Sequence, residues 1–160
     1  FKSPSYLRLG KAGEPILESK EILFNGDLIM RVDAEDPNCK YVILTYGVLS
    51  HFVVKWVDKI NTSTKEKIDC FTTPVFSPIN WDLINYLDNK YSHILVIEEH
   101  WDNGSLGMRV CAEVFEKKLK AKWSRLNGGY QFVEGYGSHE ELFETIGISM
   151  IGIKQKFGLE

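Results

Sequence analysis

Two patterns of apolar residues alternate along this chain. Short continuous runs, such as Tyr41-Val42-Ile43-Leu44-Thr45-Tyr46, have no polar face, as expected of strands covered on both sides. Elsewhere apolar residues recur every three or four positions, as in Phe52, Val53, Trp56, Val57 and Ile60, the spacing of one helix face. The cycle repeats. Ile68 to Thr72 reads as a strand, and Trp81, Leu83, Ile84 and Leu87 as a helix. His93 to Ile97 then reads as a strand and Leu106 to Leu119 as a helix, with Tyr130-Gln131-Phe132-Val133 as a fourth strand. Ahead of the first cycle, Glu21 to Phe24 and Leu28 to Val32 flank Asn25-Gly26, the pattern of a hairpin with a tight turn.

Local punctuation supports these elements. Gly47 closes the first long run, and Ser50 is placed to cap the helix after it. Ser77-Pro78 pairs an N-cap residue with a first-turn proline. Ser138-His139-Glu140-Glu141 is a capping box, opening a short helix through Leu142, Phe143 and Ile146 that Gly147 stops. Ser149 opens a last helix through Ile151, Ile153 and Phe157, while the polar stretch Asp33 to Asn38 reads as a loop. Strands and helices alternating at this interval imply βαβ units. The expected fold is doubly wound, three-layer α/β/α, with a mostly parallel sheet and an N-terminal hairpin or antiparallel edge. Residues 1–15 read as the end of a preceding domain plus the linker Gly10-Lys11-Ala12-Gly13-Glu14-Pro15, and residues 16–160 as one α/β domain.

Composition narrows the function without naming it. A net charge of −3 over 160 residues gives no electrostatic case for nucleic acid or for a membrane surface. Lys117, Lys118, Lys120, Lys122 and Arg125 form a basic run, read as a solvated helix face and its C-terminal turn. Three cysteines, Cys39, Cys70 and Cys111, cannot all pair and none lies in a Cys-x-x-Cys motif. A reducing compartment is the simplest account, so the expected location is the cytoplasm. No apolar run is long enough to span a bilayer.

The candidate chemistry concentrates after Ile94-Leu95-Val96-Ile97, in Glu98-Glu99-His100-Trp101-Asp102-Asn103-Gly104-Ser105-Leu106-Gly107. This is the strand–loop–helix corner at which open α/β sheets place ligands and interfaces. Ser105 and Gly107 open the helix, whose backbone N–H groups suit an anion; the alternative is a tight turn that lets the helix pack close to the sheet. Glu98 and Glu99 are adjacent at a strand end and point to opposite sides, which makes them poor partners for concerted acid–base work. At least one of them is expected in a structural or subunit contact. His100 is a weak candidate base, since nothing in its spacing to Asp102 or Ser105 marks a relay. His51, His93 and His139 have no second ligand at metal-site spacing. Trp101, in a loop, is the aromatic best placed to anchor an interface. No catalytic residue is assigned.

The same corner resembles the "VVVEEH…GGLG" corner in the C-terminal domain of transketolase-like thiamine-diphosphate enzymes. Other segments are similar in the same order. Tyr6-Leu7-Arg8-Leu9-Gly10-Lys11 resembles the end of the pyrimidine-binding domain in transketolase-like proteins and in the β subunits of 2-oxo-acid dehydrogenases. Tyr41 to Gly47 is similar to "DVTIIAYG", Thr73 to Ile79 stands at the "LRTIKPLD" position, and Ser138 to Leu142 resembles "GSPEEL". Deoxyxylulose-phosphate synthase relatives share the linker.

This resemblance implies a C-terminal domain that supports dimerisation and shapes the active-site entrance. The complete enzyme would transfer a two-carbon ketol unit or act on a 2-oxo acid, using thiamine diphosphate and Mg. That cofactor would sit between other domains or subunits, a pyrimidine-binding and a diphosphate-binding one, and the assembly would be a homodimer. The Gly-Asp-Gly…Asn diphosphate motif is absent here, so no cofactor is expected on this stretch of chain, which alone is expected to be inactive. Arg8, Lys11, Ser105 and Gly107 are the candidate contacts to an anion or substrate phosphate. Glu98, Glu99, His100 and Trp101 are the candidate subunit interface. The competing expectation is a stand-alone regulatory module that binds an anion or sugar phosphate at the Gly104–Gly107 helix start.

Overall fold

A computed structural model describes residues 4–7, 13, 16–17, 20–24, 27–32, 36–75, 77–130 and 132–159. Its single described sheet has six strands: β1 (Lys20–Phe24), β2 (Asp27–Val32), β3 (Tyr41–Thr45), β4 (Ile68–Thr72), β5 (His93–Glu98) and β6 (Lys122–Asn127). They lie in the order β1-β2-β4-β3-β5-β6. The last four are parallel, while β1–β2 and β2–β4 pair antiparallel. Five helices among the described residues cover the sheet: α1 (Leu49–Ser63), α2 (Trp81–Lys90), α3 (Leu106–Lys117), α4 (His139–Thr145) and α5 (Met150–Phe157). This is the expected α/β/α architecture with an antiparallel hairpin at one edge. The hairpin's own turn, Asn25-Gly26, lies outside the described residues.

The uninterrupted apolar runs become strands because both faces are buried. Val42 and Leu44 of β3, with Ile94 and Val96 of β5, pack against Leu83, Leu87 and Val110 of α2 and α3. The alternate residues Ile43, Leu95 and Ile97 pack against Val53 and Val57 of α1 and Ile153 of α5. Burying each such side chain stabilises by about 1.5–3 kcal/mol, so a strand with one polar face could not replace β3 or β5 without large loss. Within the α2-side layer, the buried Asp69 is held by the Tyr91 hydroxyl at 2.5 Å and by Arg31 at 3.4 Å.

Several local readings need correction. The fourth parallel strand is Lys122–Asn127, and the described part of Tyr130–Val133 is exposed coil. Trp123, Ser124, Arg125 and Leu126 are only partly buried, so this edge strand tolerates charge and escapes an apolar-run reading. Its entry is fixed from a distance. Asp88, at the end of α2, accepts from the backbone N–H groups of Lys120 and Ala121 and from the Trp123 indole N–H, each at 3.0 Å. Burial pushes the Asp88 carboxyl up, yet these three donors outweigh it and hold the group below its ordinary range. The basic run is therefore divided. Lys117 ends α3, Lys118 turns out at φ +53°, and Lys122 and Arg125 belong to β6.

Ser77-Pro78 does not start α2, whose cap is Asn80. The Asn80 side chain accepts from Leu83 N and donates to Phe24 O and Asp27 Oδ2. Asn80 prevails because the same amide ties the hairpin to the helix. Ser50 lies inside α1 rather than capping it, because Gly47 (φ +68°) turns the chain earlier and its carbonyl accepts from Ser50 N. Ser138 and Ser149 cap α4 and α5 as expected, the first with the full capping box.

Candidate functional site

The C-terminal edge of the parallel strands carries the site. At this edge β3 leads into α1 on one face of the sheet, while neighbouring β5 leads into α3 on the other. Strand ends that part in this way leave the crevice where open α/β sheets bind ligands. Here the chain fills that crevice itself. Glu98, the last residue of β5, is fully buried. Its carboxylate accepts from the Tyr46 hydroxyl at 3.0 Å and from the N–H groups of Leu106 and Gly107, each at 2.9 Å. Two first-turn donors of α3 are thereby satisfied by a carboxylate at the positive end of the helix dipole.

The turn residues are chosen for that close approach. A Cβ on Gly107 would lie 2.7 Å from both Glu98 Oε1 and Arg125 Cδ, so any side chain there would have to displace one of them. Ser105 is the α3 cap, accepting from Met108 N at 3.1 Å and donating to Asp102 O. Asp102 in turn accepts from the Asn127 amide and ion-pairs with Arg125 at 3.3 Å. The Asn127 bond, with Arg125 and Tyr130 beside it, holds the Asp102 carboxyl below its ordinary range despite an opposing desolvation cost. Thus the Gly107 amide and the Ser105 hydroxyl, expected to receive an external anion, are engaged within the chain. Arg8 and Lys11, the other two candidate anion contacts, lie outside the described residues.

Glu99, one residue on, faces the other way. With His100, Trp101, Val133, His139, Leu142, Phe143 and Ile146 it lines an open groove of about 450 Å³ between the β5 end and α4. The segment after β6 forms the groove's other wall, tied down by Gly128 N to His100 O at 3.2 Å. Trp101 stands edge-on to Phe132 (5.3 Å between centroids, 87°) and to Tyr130 (6.3 Å, 74°). Phe132 is 82% exposed and Tyr136 fully so, so this aromatic wall is bare on its outer side. The structure therefore separates the four residues expected at an interface. Glu98 is sealed inside, whereas Glu99, His100 and Trp101 line the groove.

The groove holds few reactive groups. The His100 imidazole bonds through Nδ1 to the Trp101 carbonyl, 2.9 Å away. Among the described residues no three His, Cys, Asp or Glu side chains are grouped to hold a metal. Burial pushes the Cys39 thiol up to about 11 and the Cys70 thiol up to about 12, which keeps both protonated and poorly nucleophilic. His93, sunk at the far end of β5 beside Phe157 and bonded to Ser124 Oγ at 2.8 Å, is held neutral by burial and by nearby Lys122, down to about 4. Tyr46, Arg125, Asn127 and the aromatic wall escaped the sequence reading. The signal available for the wall was the density of Tyr and Phe between Gly129 and Gly137, which suggested a strand instead.

Comparison with known proteins matches residues 31–153 to the family described as "Transketolase, C-terminal domain". No curated protein matches the chain. Among solved structures the fold is similar to "Split gene transketolase, inactive beta4 tetramer", with a TM-score of 0.60 and 17% identity. That likeness covers 78% of this chain but only 44% of the other, so this chain spans less than half the length of its structural relative. No helix among the described residues is long and apolar enough to cross a membrane.

Proposed function

The chain belongs to the transketolase C-terminal domain family, and from that premise we propose that it serves as the assembly domain of a thiamine-diphosphate-dependent transketolase-like enzyme. In this reading it supports dimerisation and shapes the active-site entrance, while the chemistry belongs to other domains or subunits. The observation that carries the proposal is the bare aromatic groove on Glu99, His100 and Trp101, rigidly backed by the buried Glu98 lock. Exposed tryptophan and tyrosine around an apolar floor are what an interface core presents.

Thiamine diphosphate and Mg fit poorly on this chain's own groups. Glu98 occupies two α3 amides, and among the described residues the groove brings no acidic cluster suited to a hard divalent cation. Their ligands would come from the pyrimidine-binding and diphosphate-binding partners, and the loaded enzyme would transfer a two-carbon ketol unit or act on a 2-oxo acid. Three unpaired cysteines agree with a cytoplasmic setting. The structural relative is an inactive β4 tetramer, which accords with self-association of this kind of chain.

Reconstitution tests the reading. The chain is mixed with separately produced pyrimidine- and diphosphate-binding domains, thiamine diphosphate and Mg, and ketol transfer is followed. Activity is expected only in the mixture, and calorimetry is expected to show no cofactor binding to the chain alone. Turnover of a ketose phosphate by the chain by itself would overturn the proposal.

A further inference from the structure

The two walls of the groove are held in different ways. On one side stands Trp101, behind which Glu98 locks the corner. On the other stands α4, whose His139, Leu142 and Phe143, with the C-cap Ile146, make up four of the eight lining residues. Only Phe143 of α4 is buried, whereas α5, one residue longer, buries Gly152, Ile153 and Phe157. Residues 132–141 are exposed throughout. The seat of α4 on α1 is built from the Trp56 indole N–H, which donates to Glu140 Oε1 at 3.1 Å, and from Phe52, whose ring lies 5.5 Å from Phe143 and 6.4 Å from His139. Both ends of the segment turn on glycine. Gly135 has φ +129° and Gly147 φ +79°, conformations that other residues rarely adopt. The second turn is braced by the rest of the domain: a Cβ on Gly152 would lie 2.2 Å from the Gly147 carbonyl oxygen, and Ile148 is fully buried. A short helix with one buried anchor, set between two glycine turns, has the build of a hinged element of low local stability.

We propose that α4 is a flap that pivots at Gly135 and Gly147 and is latched to α1 by the Trp56–Glu140 bond, so that the groove exists only while α4 is seated. The proposal rests on reading the groove as an assembly surface and names how that surface is regulated. Release removes half of the lining and uncovers the indole N–H of Trp56, a residue 3% exposed with α4 in place. Seven residues are too few for a helix to persist without its seat, so release also unwinds α4. A partner that touches α4 and Trp101 together binds only the seated form, and shifts the population toward it. Assembly and flap seating are therefore one coupled equilibrium.

Hydrogen exchange of the 160-residue chain, followed by NMR, tests this. The Trp56 indole N–H and the Leu142 and Phe143 amides are expected to share one protection factor, about a hundredfold or more below that of β3 and β5. Urea well under the unfolding midpoint is expected to lower protection of the two strands and leave that of the flap nearly constant, because release exposes little surface. Glu140→Ala is expected to lower flap protection by about tenfold. Glu140→Gln, which keeps an acceptor oxygen for the indole, is expected to restore most of that loss. A flap that exchanges only with the core, an indole N–H that exchanges independently of the α4 amides, or a Glu140→Ala chain with unchanged protection would each overturn the proposal. In the reconstitution mixture, mass spectrometry is expected to show α4 exchanging about tenfold or more slowly than in the free chain. An active mixture with α4 exchange unchanged would overturn the regulatory role. The NMR readouts use the chain alone and so separate from the activity assay: a latched flap without reconstituted activity removes the enzyme reading and leaves the flap standing.

Discussion

Glu98 and Glu99 are neighbours in the chain and opposites in the structure. Glu98 is enclosed by three hydrogen-bond donors and an adjoining helix start, and Glu99 opens onto a groove with a bare aromatic wall. The pleat alone sends their side chains to opposite faces. What each face then meets gives them different work. On the sealed side the carboxylate sets how α3 leaves the sheet. On the open side the surface is free to meet a partner, and its shape depends on the rigidity of the sealed side.

If that division is right, substitutions on the two sides differ in kind. Glu98→Ala removes the acceptor for two buried amides and a hydroxyl, and is expected to cost about 4 kcal/mol by chemical denaturation. A loss under about 1 kcal/mol would mean that the lock does not hold the corner. Acid should expose the same sealed character at the other end of β5. His93 stays neutral down to about 4 in the fold, whereas an unfolded histidine takes a proton near pH 6.5. Between those values the unfolded state binds more protons, so stability falls as pH drops from 6.5 to 4, by up to about 3 kcal/mol, and levels off below. A His93→Gln chain should lack that component in a pH series of melts.

Smaller effects sharpen the contrast. Gly107→Ala forces a methyl group against Glu98 and Arg125, and is expected to cost about 2 kcal/mol. Tyr46→Phe removes one of the three donors and should cost about 1 kcal/mol. Glu99→Gln is expected to change the midpoint of denaturation by less than about 0.5 kcal/mol while altering association. A Glu99 variant as damaging as Glu98→Ala would erase the distinction between the two sides.

Legibility in the sequence followed the same line. β3, β4 and β5 were readable because burial on both faces makes these strands predominantly apolar runs, even where β4 buries Asp69. The caps at Ser138 and Ser149 were readable because a cap is settled within four residues. β6 was not. Lys122 and Arg125 suit an edge strand as well as a helix end, and the Asp88 carboxylate that positions this strand's start lies over 30 residues earlier. Asn80 was overlooked as a cap for a similar reason, since its second task is to hold the hairpin. For the candidate site, the Glu98–Glu99 divergence followed from the pleat, but Tyr46 as a partner of Glu98 crosses 52 positions.

By itself the sequence determined the alternation of elements, the layered α/β/α class, most helix starts and the stretch where the corner lies, because period, capping and two-sided burial are local properties. Tertiary structure alone decided whether that corner would be an anion site or a filled one. Backbone amides at a helix start attract any carboxylate that reaches them, and only the packing of β5 against α3 and β3 brings Glu98 there first. The same packing turns the next residue outward, and leaves Trp101, Tyr130 and Phe132 together on a surface that no spacing along the chain announces.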